Sequence, residues 1–551
     1  MNGFLKRLRG AFDDPNPIVV KELRSVFRTK LYVRFLYLSA FAIGALVLLI
    51  GATIVDGRIS PAEAGRVIYQ SFFSLCVMVL SVVGPIYGAS SITSEREGLT
   101  YESLLLTGMD PARIVVGKLW AAYASLALVL VALSPIGGVV FLFGGVAPSY
   151  VLVAFASVLV LLLPAVAYGV SVSAHVPTSR LAILVVLGTW PLVVFFGFIG
   201  FTIFGEEMRS TWDIDGPGPF WFAEVLVERG LSLDTFFAVG VLPLCAVVTC
   251  VWFFVASAIA GVRPAAEDRS TPLKVWALAS MVCPLVLVSV ASGLAPSHDV
   301  RDVFALILGF FFVALYVYVN IFVNEPPLPP RSARAKGGAL RESLRRTFGP
   351  GARPTMRFGV WFTLAATALM VGVFAVVSGY TGHARADDVL GFAVVGASMA
   401  IFACFLLALG TLVRIRTRSG GTARAVLLGT VAALVVLPSM TAIILDPRVF
   451  DDLDRHIPLV LSLSPLAPLS GAVMVASRRT GDLWMLGFFA AVYATLALAL
   501  YVSAARRTRE IIEQVAASRA ALESPASEPS ASEPQATDDV AQTRAPAEAG
   551  E

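Results

Sequence analysis

APSYVLVAFASVLVLLLPAVAYGVSVS, residues 147–173, runs without one charged side chain. Crossing the hydrocarbon core of a bilayer takes ~20 mainly apolar helical residues. A backbone in lipid must satisfy its own polar groups, which a helix does. This stretch is therefore predicted to be a membrane span. Eleven others read the same way: roughly 33–55, 69–92, 114–143, 181–204, 235–262, 275–295, 303–323, 358–379, 389–413, 425–445 and 483–503. The expectation is an all-α polytopic membrane protein of about 12 transmembrane helices.

Composition agrees. Of the 551 residues, 57% are hydrophobic and 15% charged, against about half and about a quarter in soluble domains. That excludes a soluble enzyme, a fibrous protein and a disordered scaffold. The continuous apolar runs are unlike the ~10-residue alternating segments of an outer-membrane barrel. The first span exceeds a signal-peptide core and lacks a clear cleavage site, so it is expected to stay as an anchor. The net charge of +4 is too balanced for a nucleic-acid binder.

Placement of charge gives orientation. With the N-terminus inside, 32 of the 42 Lys and Arg fall in inner segments and 10 in outer loops. This bias predicts N-in and C-in. The two halves then share a layout: two spans, a long inner loop, three closely linked spans, a long outer loop and a last span. The inner loops are 93–113 and 324–357; the outer loops are 205–234 and 446–482. The expected organisation is an amphipathic helix within 1–32, six-span units over 33–262 and 263–503, and a cytoplasmic tail over 504–551. Residues 457–475 are apolar but broken by Pro465 and Pro468, which predicts a re-entrant or interfacial segment rather than a span. From about 523 the tail is rich in Ala, Pro, Ser and Glu and is expected to be disordered. The basic stretch 324–357 reads as a linker that attracts anionic lipid.

The span interiors hold no Asp, Glu, Lys, Arg or His; Arg34, Lys118, Asp234, Asp302, Asp388 and Asp482 sit at their ends. Ion-coupled carriers hold their ion on intramembrane acids or His, so that mechanism is disfavoured. There is no HExxH and no phosphate-cradling GxxxxGK[ST]; Gly117-Lys118-Leu119 lacks the hydroxyl residue. His175, alone at the inner end of a span, reads as a cap or packing residue. The five cysteines, Cys76, Cys245, Cys250, Cys283 and Cys404, lie in apolar runs and form no CxxC pair, so they read as packing residues. No metal site is expected, although Asp451, Asp452, Asp454 and His456 in an outer loop could hold a cation.

Two inner segments carry more than orientation. NPIVVKELRSVFRTK, residues 16–30, opens with Asn16 as helix cap and Pro17 as first helical residue. At 100° per residue Val19, Leu23, Val26 and Phe27 share one face, and Lys21, Arg24 and Arg28 the other. That pattern predicts a helix lying at the membrane surface, in contact with lipid. SEREGLTYESLLLTGMDPARIVVGK, residues 94–118, has Ser94 and Glu97 at capping-box spacing. Gly98 and Gly108 bracket a short helix, and Asp110 caps a new one opening with Pro111. Three Leu and a Tyr in a water-facing loop need a surface to bury against. A short transverse helix of this kind can carry motion from a soluble partner into the spans.

In these two segments the chain resembles the ABC-2 type transporter permeases. The family shows an Asn-Pro and Lys-Glu stretch, then an ER…G-T…LL…I..GK block. Here Asn16-Pro17, Lys21-Glu22, Glu95-Arg96, Gly98, Thr100, Leu104-Leu105, Ile114 and Gly117-Lys118 stand at those places. The family's Pro after the Leu run is replaced by Gly108-Met109. The likeness covers roughly residues 15–262 and does not extend to 275–503. It implies a non-enzymatic membrane subunit of an ATP-driven exporter in the cell membrane. ATP and Mg would be bound by a separate cytoplasmic ATPase and no cofactor by this chain. It also implies a coupling helix at 94–108, with Glu95, Arg96, Glu97, Gly98, Leu99, Thr100, Tyr101, Leu104, Leu105 and Gly108 at the ATPase. Asn16, Pro17, Lys21, Glu22, Arg24 and Arg28 would form the interface helix. Such a transporter needs two six-span units, from one chain or from a second copy. The residues themselves leave two alternatives: a membrane enzyme acting on lipid-linked substrates near Asp56, Asp213 or Asp451, and a scaffold or sensor without transport.

Overall fold

The computed structural model describes residues 17–28, 30–55, 60–106, 108–212, 221–228, 230, 232–264, 267–281, 300–323, 325–328, 346–381, 386–445, 459–476 and 483–523. Among these there are helices and no strands. They are α1 (Pro17–Arg28), α2 (Lys30–Val55), α3 (Pro61–Glu97), α4 (Tyr101–Leu106), α5 (Pro111–Gly138), α6 (Pro148–His175), α7 (Ser179–Trp212), α8 (Trp221–Glu228) and α9 (Leu242–Val262). Residues 271–281 form α10. Then follow α11 (Val300–Phe322), α12 (Ala352–Thr381), α13 (Ala386–Thr417), α14 (Gly420–Leu445), α15 (Leu466–Ala476) and α16 (Trp484–Glu523).

Nine helices among the described residues are long and apolar enough to cross a membrane: α3, α5, α6, α7, α9, α12, α13, α14 and α16. Each overlaps one of the twelve predicted spans, although α5 stops at Gly138, short of the predicted end at 143. Of the other three, the first is α2, the seventh is described only by α10, and the eighth lies in α11. The protein is an all-α, multi-pass membrane protein.

One helix organises each half. α6 packs against α3, α5, α7, α8 and α9, and α13 packs against α11, α12, α14, α15 and α16. The α3–α6 crossing rests on glycine. A Cβ on Gly169 would stand 2.1 Å from the Pro85 carbonyl oxygen, and one on Gly88 would stand 2.5 Å from that of Val166. Gly84 and Gly88 form the small-xxx-small spacing that lets membrane helices approach closely. Around α13 the core is aromatic: Phe402, Phe405, Phe489 and Tyr493 meet with centroids 4.6–6.0 Å apart. The halves join where the Trp276 indole lies tilted against Phe253, centroids 4.6 Å apart, and donates from Nε1 to the Thr249 carbonyl at 2.8 Å.

Several boundaries depart from the sequence reading. The predicted outer loop 205–234 is partly helical, because α7 runs on to Trp212 and α8 follows. A π-turn over Phe236–Val241 leads into α9. In 457–475, α15 begins directly after Pro465 and takes Pro468 in its first turn, where the missing N–H breaks no helical bond. Its 11 residues are too few to cross a bilayer. The Tyr493 hydroxyl fixes the preceding turn through the Leu463 carbonyl at 2.7 Å. The tail from 504 is helical as far as Glu523; 524–551 lies outside the described residues.

Candidate functional site

The segments around residues 17–28 and 94–118 converge at one end of the bundle, around the last turn of α3. The predicted capping box at Ser94 and Glu97 does not form, because α3 continues through both residues. The same Ser-x-x-Glu pattern closes a capping box at the other end of α3, between Ser60 and Glu63. α3 ends in a Schellman turn: the Leu99 amide donates to the Arg96 carbonyl at 3.2 Å and Thr100 to Glu95 at 3.0 Å. Glycine is the residue that usually takes the left-handed position of such a turn. Gly98 has φ −78°, and Leu99 takes φ +54° in its place. Holding a leucine there stores about 1 kcal/mol of strain.

Three consecutive charged side chains leave this turn for four different elements. The Glu95 carboxylate pairs with Lys118 of α5 at 2.9 Å and with Lys21 of α1 at 3.9 Å. Lys118 is 2% exposed; it also reaches Glu22 at 3.4 Å and donates to the Ser91 carbonyl at 2.8 Å. The sequence placed Lys118 at a span end and dismissed it as a P-loop decoy. It is instead a buried cation shared by two acids. Arg96 donates to the carbonyls of Ala174 at 2.9 Å and Val176 at 3.1 Å. These are open groups at the carboxyl end of α6, where a cation is favoured. Glu97 accepts from the Ser179 amide and hydroxyl, both at 2.8 Å, at the opening of α7. The Ser179 amide, and then its hydroxyl, hold the Glu97 carboxyl below the usual carboxylate range. Behind them the Ser173 hydroxyl accepts from the amides of Ile92 and Thr93 at 2.9 and 3.0 Å, locking α6 to α3.

Beyond Leu99 lies the short helix α4. Tyr101, expected to face a partner, turns inward. Its hydroxyl donates to the Val262 carbonyl at the end of α9 at 3.3 Å, and the Arg96 guanidinium lies 5.0 Å over its ring. Leu99 and Leu106 are each 87% exposed, and Leu104 is half-buried. Leu106 was not singled out in the sequence, although it follows the Leu pair. Gly108 adopts φ +70°, which glycine permits. Asp110 caps α5 as expected, accepting from the Ala112 amide at 3.1 Å. On α1, Lys21 and Arg24 are exposed, Ile18 is buried and the helix packs on α5. Asn16 and the side chains of Arg28 and Leu105 lie outside the described residues, as do Asp56, Asp213, Asp451, Asp452, Asp454 and His456.

A second buried lysine stands at the corresponding loop of the other half. Lys274 is fully buried, donates to the Gly349 carbonyl at 2.7 Å and faces the Phe358 ring at 5.6 Å. Burial pushes its amine down to about 8, against the pull of Glu325 and Asp268. Glu325 accepts from the Gly351 amide at 3.0 Å, and burial pushes its carboxyl up. The Ala352 amide donates to the Pro326 carbonyl at 3.1 Å. The two ends of the basic 324–357 segment are thereby tied together.

No protein-family model, no characterised protein and no solved structure matches the chain.

Proposed function

We propose that this chain is the membrane subunit of an ATP-driven exporter of the ABC-2 kind, oriented with both termini in the cytoplasm. A separate ATPase would dock on α4 and the turn before it. The observation that carries this reading is the convergence of three segments distant in sequence. Lys21 and Glu22, Glu95, and Lys118 join in one ionic cluster at the root of α4. Residues 95–101 thereby touch α1, α5, α6, α7 and α9 together. A push on α4 would reach most helices of the first half at once, as coupling demands. Twelve spans, two six-span units and a location in the cell membrane belong to the same proposal.

Within it Tyr101 transmits, and Leu99 and Leu106 bind. The test separates docking from folding. Leu99→Gly relieves the left-handed leucine and leaves the fold at least as stable. Combined with Leu106→Ala it removes both exposed apolar anchors, and truncating a central anchor costs ~2 kcal/mol or more of binding. A P-loop ATPase co-expressed with the chain is expected to co-purify with the wild type and to be largely lost from the double variant. Equal recovery at matched expression would overturn the reading.

A further inference from the structure

Three helix-interior prolines stand at one level of the first half. Pro85 lies 12 residues from Glu97 at the end of α3, Pro164 lies 11 from His175 at the end of α6, and Pro191 lies 12 from Ser179 at the start of α7. Packing brings the three to within about one helical turn of each other. A Cβ on Gly84 would stand 3.3 Å from Leu162 and 3.4 Å from Ala165, on either side of Pro164. The Tyr168 hydroxyl bonds to that of Thr189, and the Tyr168 ring stacks on Trp190, centroids 4.9 Å apart, immediately before Pro191. Proline has no N–H, and its ring crowds the carbonyl four residues back. Ser81, Val160 and Leu187 therefore have no α-helical donor. A single break is ordinary in a membrane helix, because neighbours compensate for it. Here three breaks cut the same section of three helices that pack on one another.

Each side of this level is tied within itself. On the side of α4, Ser173 holds the amides of Ile92 and Thr93, Arg96 holds the end of α6 and Glu97 the start of α7. The tight crossing at Gly88 and Gly169 and the cluster of Ala89, Ala182 and Val186 lie on that side too. On the other side the Tyr69 hydroxyl donates to the Tyr150 carbonyl at 3.4 Å, and Phe155 meets Phe73 edge to face at 4.8 Å. α7 changes character at the same level. Ala182 and Val186 are buried, whereas every described side chain from Pro191 to Ile199 is exposed.

We propose that the proline level is a hinge. The sections of α3, α6 and α7 next to α4 turn as one block against the rest of the first half. This goes beyond the transport reading, since the hinge belongs to the fold whether or not an ATPase docks. A bend of ~20° swings the end of a 12-residue arm, about 18 Å long, by ~6 Å.

The full chain, in lipid nanodiscs and with its five native cysteines replaced by alanine, is labelled with nitroxides in pairs at Glu102, Ser149 and Arg180, all exposed. Pulsed electron resonance then reads the distance distributions. The Ser149–Arg180 and Ser149–Glu102 pairs cross the hinge; the Glu102–Arg180 pair does not. With the prolines in place, at least one crossing pair is expected to spread ~6 Å more widely than the Glu102–Arg180 pair. Pro85→Ala, Pro164→Ala and Pro191→Ala together restore the three helical bonds and should remove that excess. An excess that survives the triple variant, or none with the prolines in place, would overturn the hinge. Should the triple variant fail to fold, Pro191→Ala alone decides, because its ring is exposed. It should narrow the Ser149–Arg180 distribution, and an undiminished spread counts against the hinge.

Discussion

α6 and α13 occupy the same place in their halves and are held there by opposite means. α6 meets α3 backbone to backbone, through Gly88 and Gly169. α13 meets its neighbours side chain to side chain. A Cβ on Gly396 would touch Thr367 Cγ2 at 2.9 Å, and one on Gly359 would touch Leu407 Cδ2 at 2.2 Å. Lipid is as apolar as a leucine side chain, so helices in a membrane gain little from burial and much from fit. A backbone contact has no free torsion with which to absorb a misfit. The first half is thus fixed at the helices that carry Glu95, Arg96 and Glu97, whereas the second half can give.

The sharpest way to break this comparison is Gly169→Ala. The added carbon would lie 2.1 Å from the Pro85 oxygen and 2.9 Å from the Ala89 nitrogen, so α3 and α6 must part. The expected loss is ~3 kcal/mol or more, read as a collapse in monodisperse yield and midpoint. Gly396→Ala should lose less than about 1.5 kcal/mol, because a threonine methyl can move. Equal losses would mean that the two helices are held alike.

Next in size are the buried lysines. Lys118→Met leaves Glu95, at 13% exposure, without its close cation. Breaking a buried pair in this way costs ~3 kcal/mol. Lys274→Met should cost about 1 kcal/mol. Its main partner is a carbonyl, and the raised Glu325 can take up a proton when the amine is gone. Denaturation in mixed micelles at neutral pH checks both, and a larger loss at Lys274 would reverse the ranking.

Phe402→Ala sharpens the second half. The ring lies 4.9 Å from Tyr493 and 5.9 Å from Phe489. In a soluble core such a truncation costs 3–5 kcal/mol. In a bilayer the transfer part shrinks, leaving about 2 kcal/mol of lost packing. The outcome that would count against a deformable aromatic core is a loss as total as that at Gly169.

Much of this was legible along the chain. Apolar length announced the spans and Asp110-Pro111 announced the start of α5; Pro465 and Pro468 spoke against a span at 457–475, but not for the regular 11-residue helix that starts directly after Pro465. What could not be read were the long-range partners. Glu97 caps a helix that starts 82 positions on, so its local spacing to Ser94 misled. Lys118 looked like a span-end charge because Glu22 and Glu95 reach it only through folding. Leu99 took the strained φ that a neighbouring glycine could have taken, and neither propensity nor periodicity foretells that. Gly84, Gly88 and Gly169 were visible, but not that one crossing would use all three.

The smallest expected effect is a dependence on pH, and it compares two acids that leave corresponding helices. Glu97 is fully exposed, with its carboxyl lowered first by the Ser179 amide and then by the Ser179 hydroxyl. Its ionised form is the better acceptor at the opening of α7. A carboxyl whose folded pKa lies below the unfolded value near 4.5 contributes stability above that value. The contribution fades as pH falls through the lower folded pKa. Glu325 is raised by burial, so the sign is opposite: the folded state holds its proton longer, and stability drops as pH rises from about 4.5 towards the raised value. Midpoints measured from pH 3.5 to 7 should therefore show Glu97→Gln falling further below wild type as pH rises. Glu325→Gln should gain on wild type over the same range. Parallel curves for the two variants would mean that these loops do not differ in how they hold their acids.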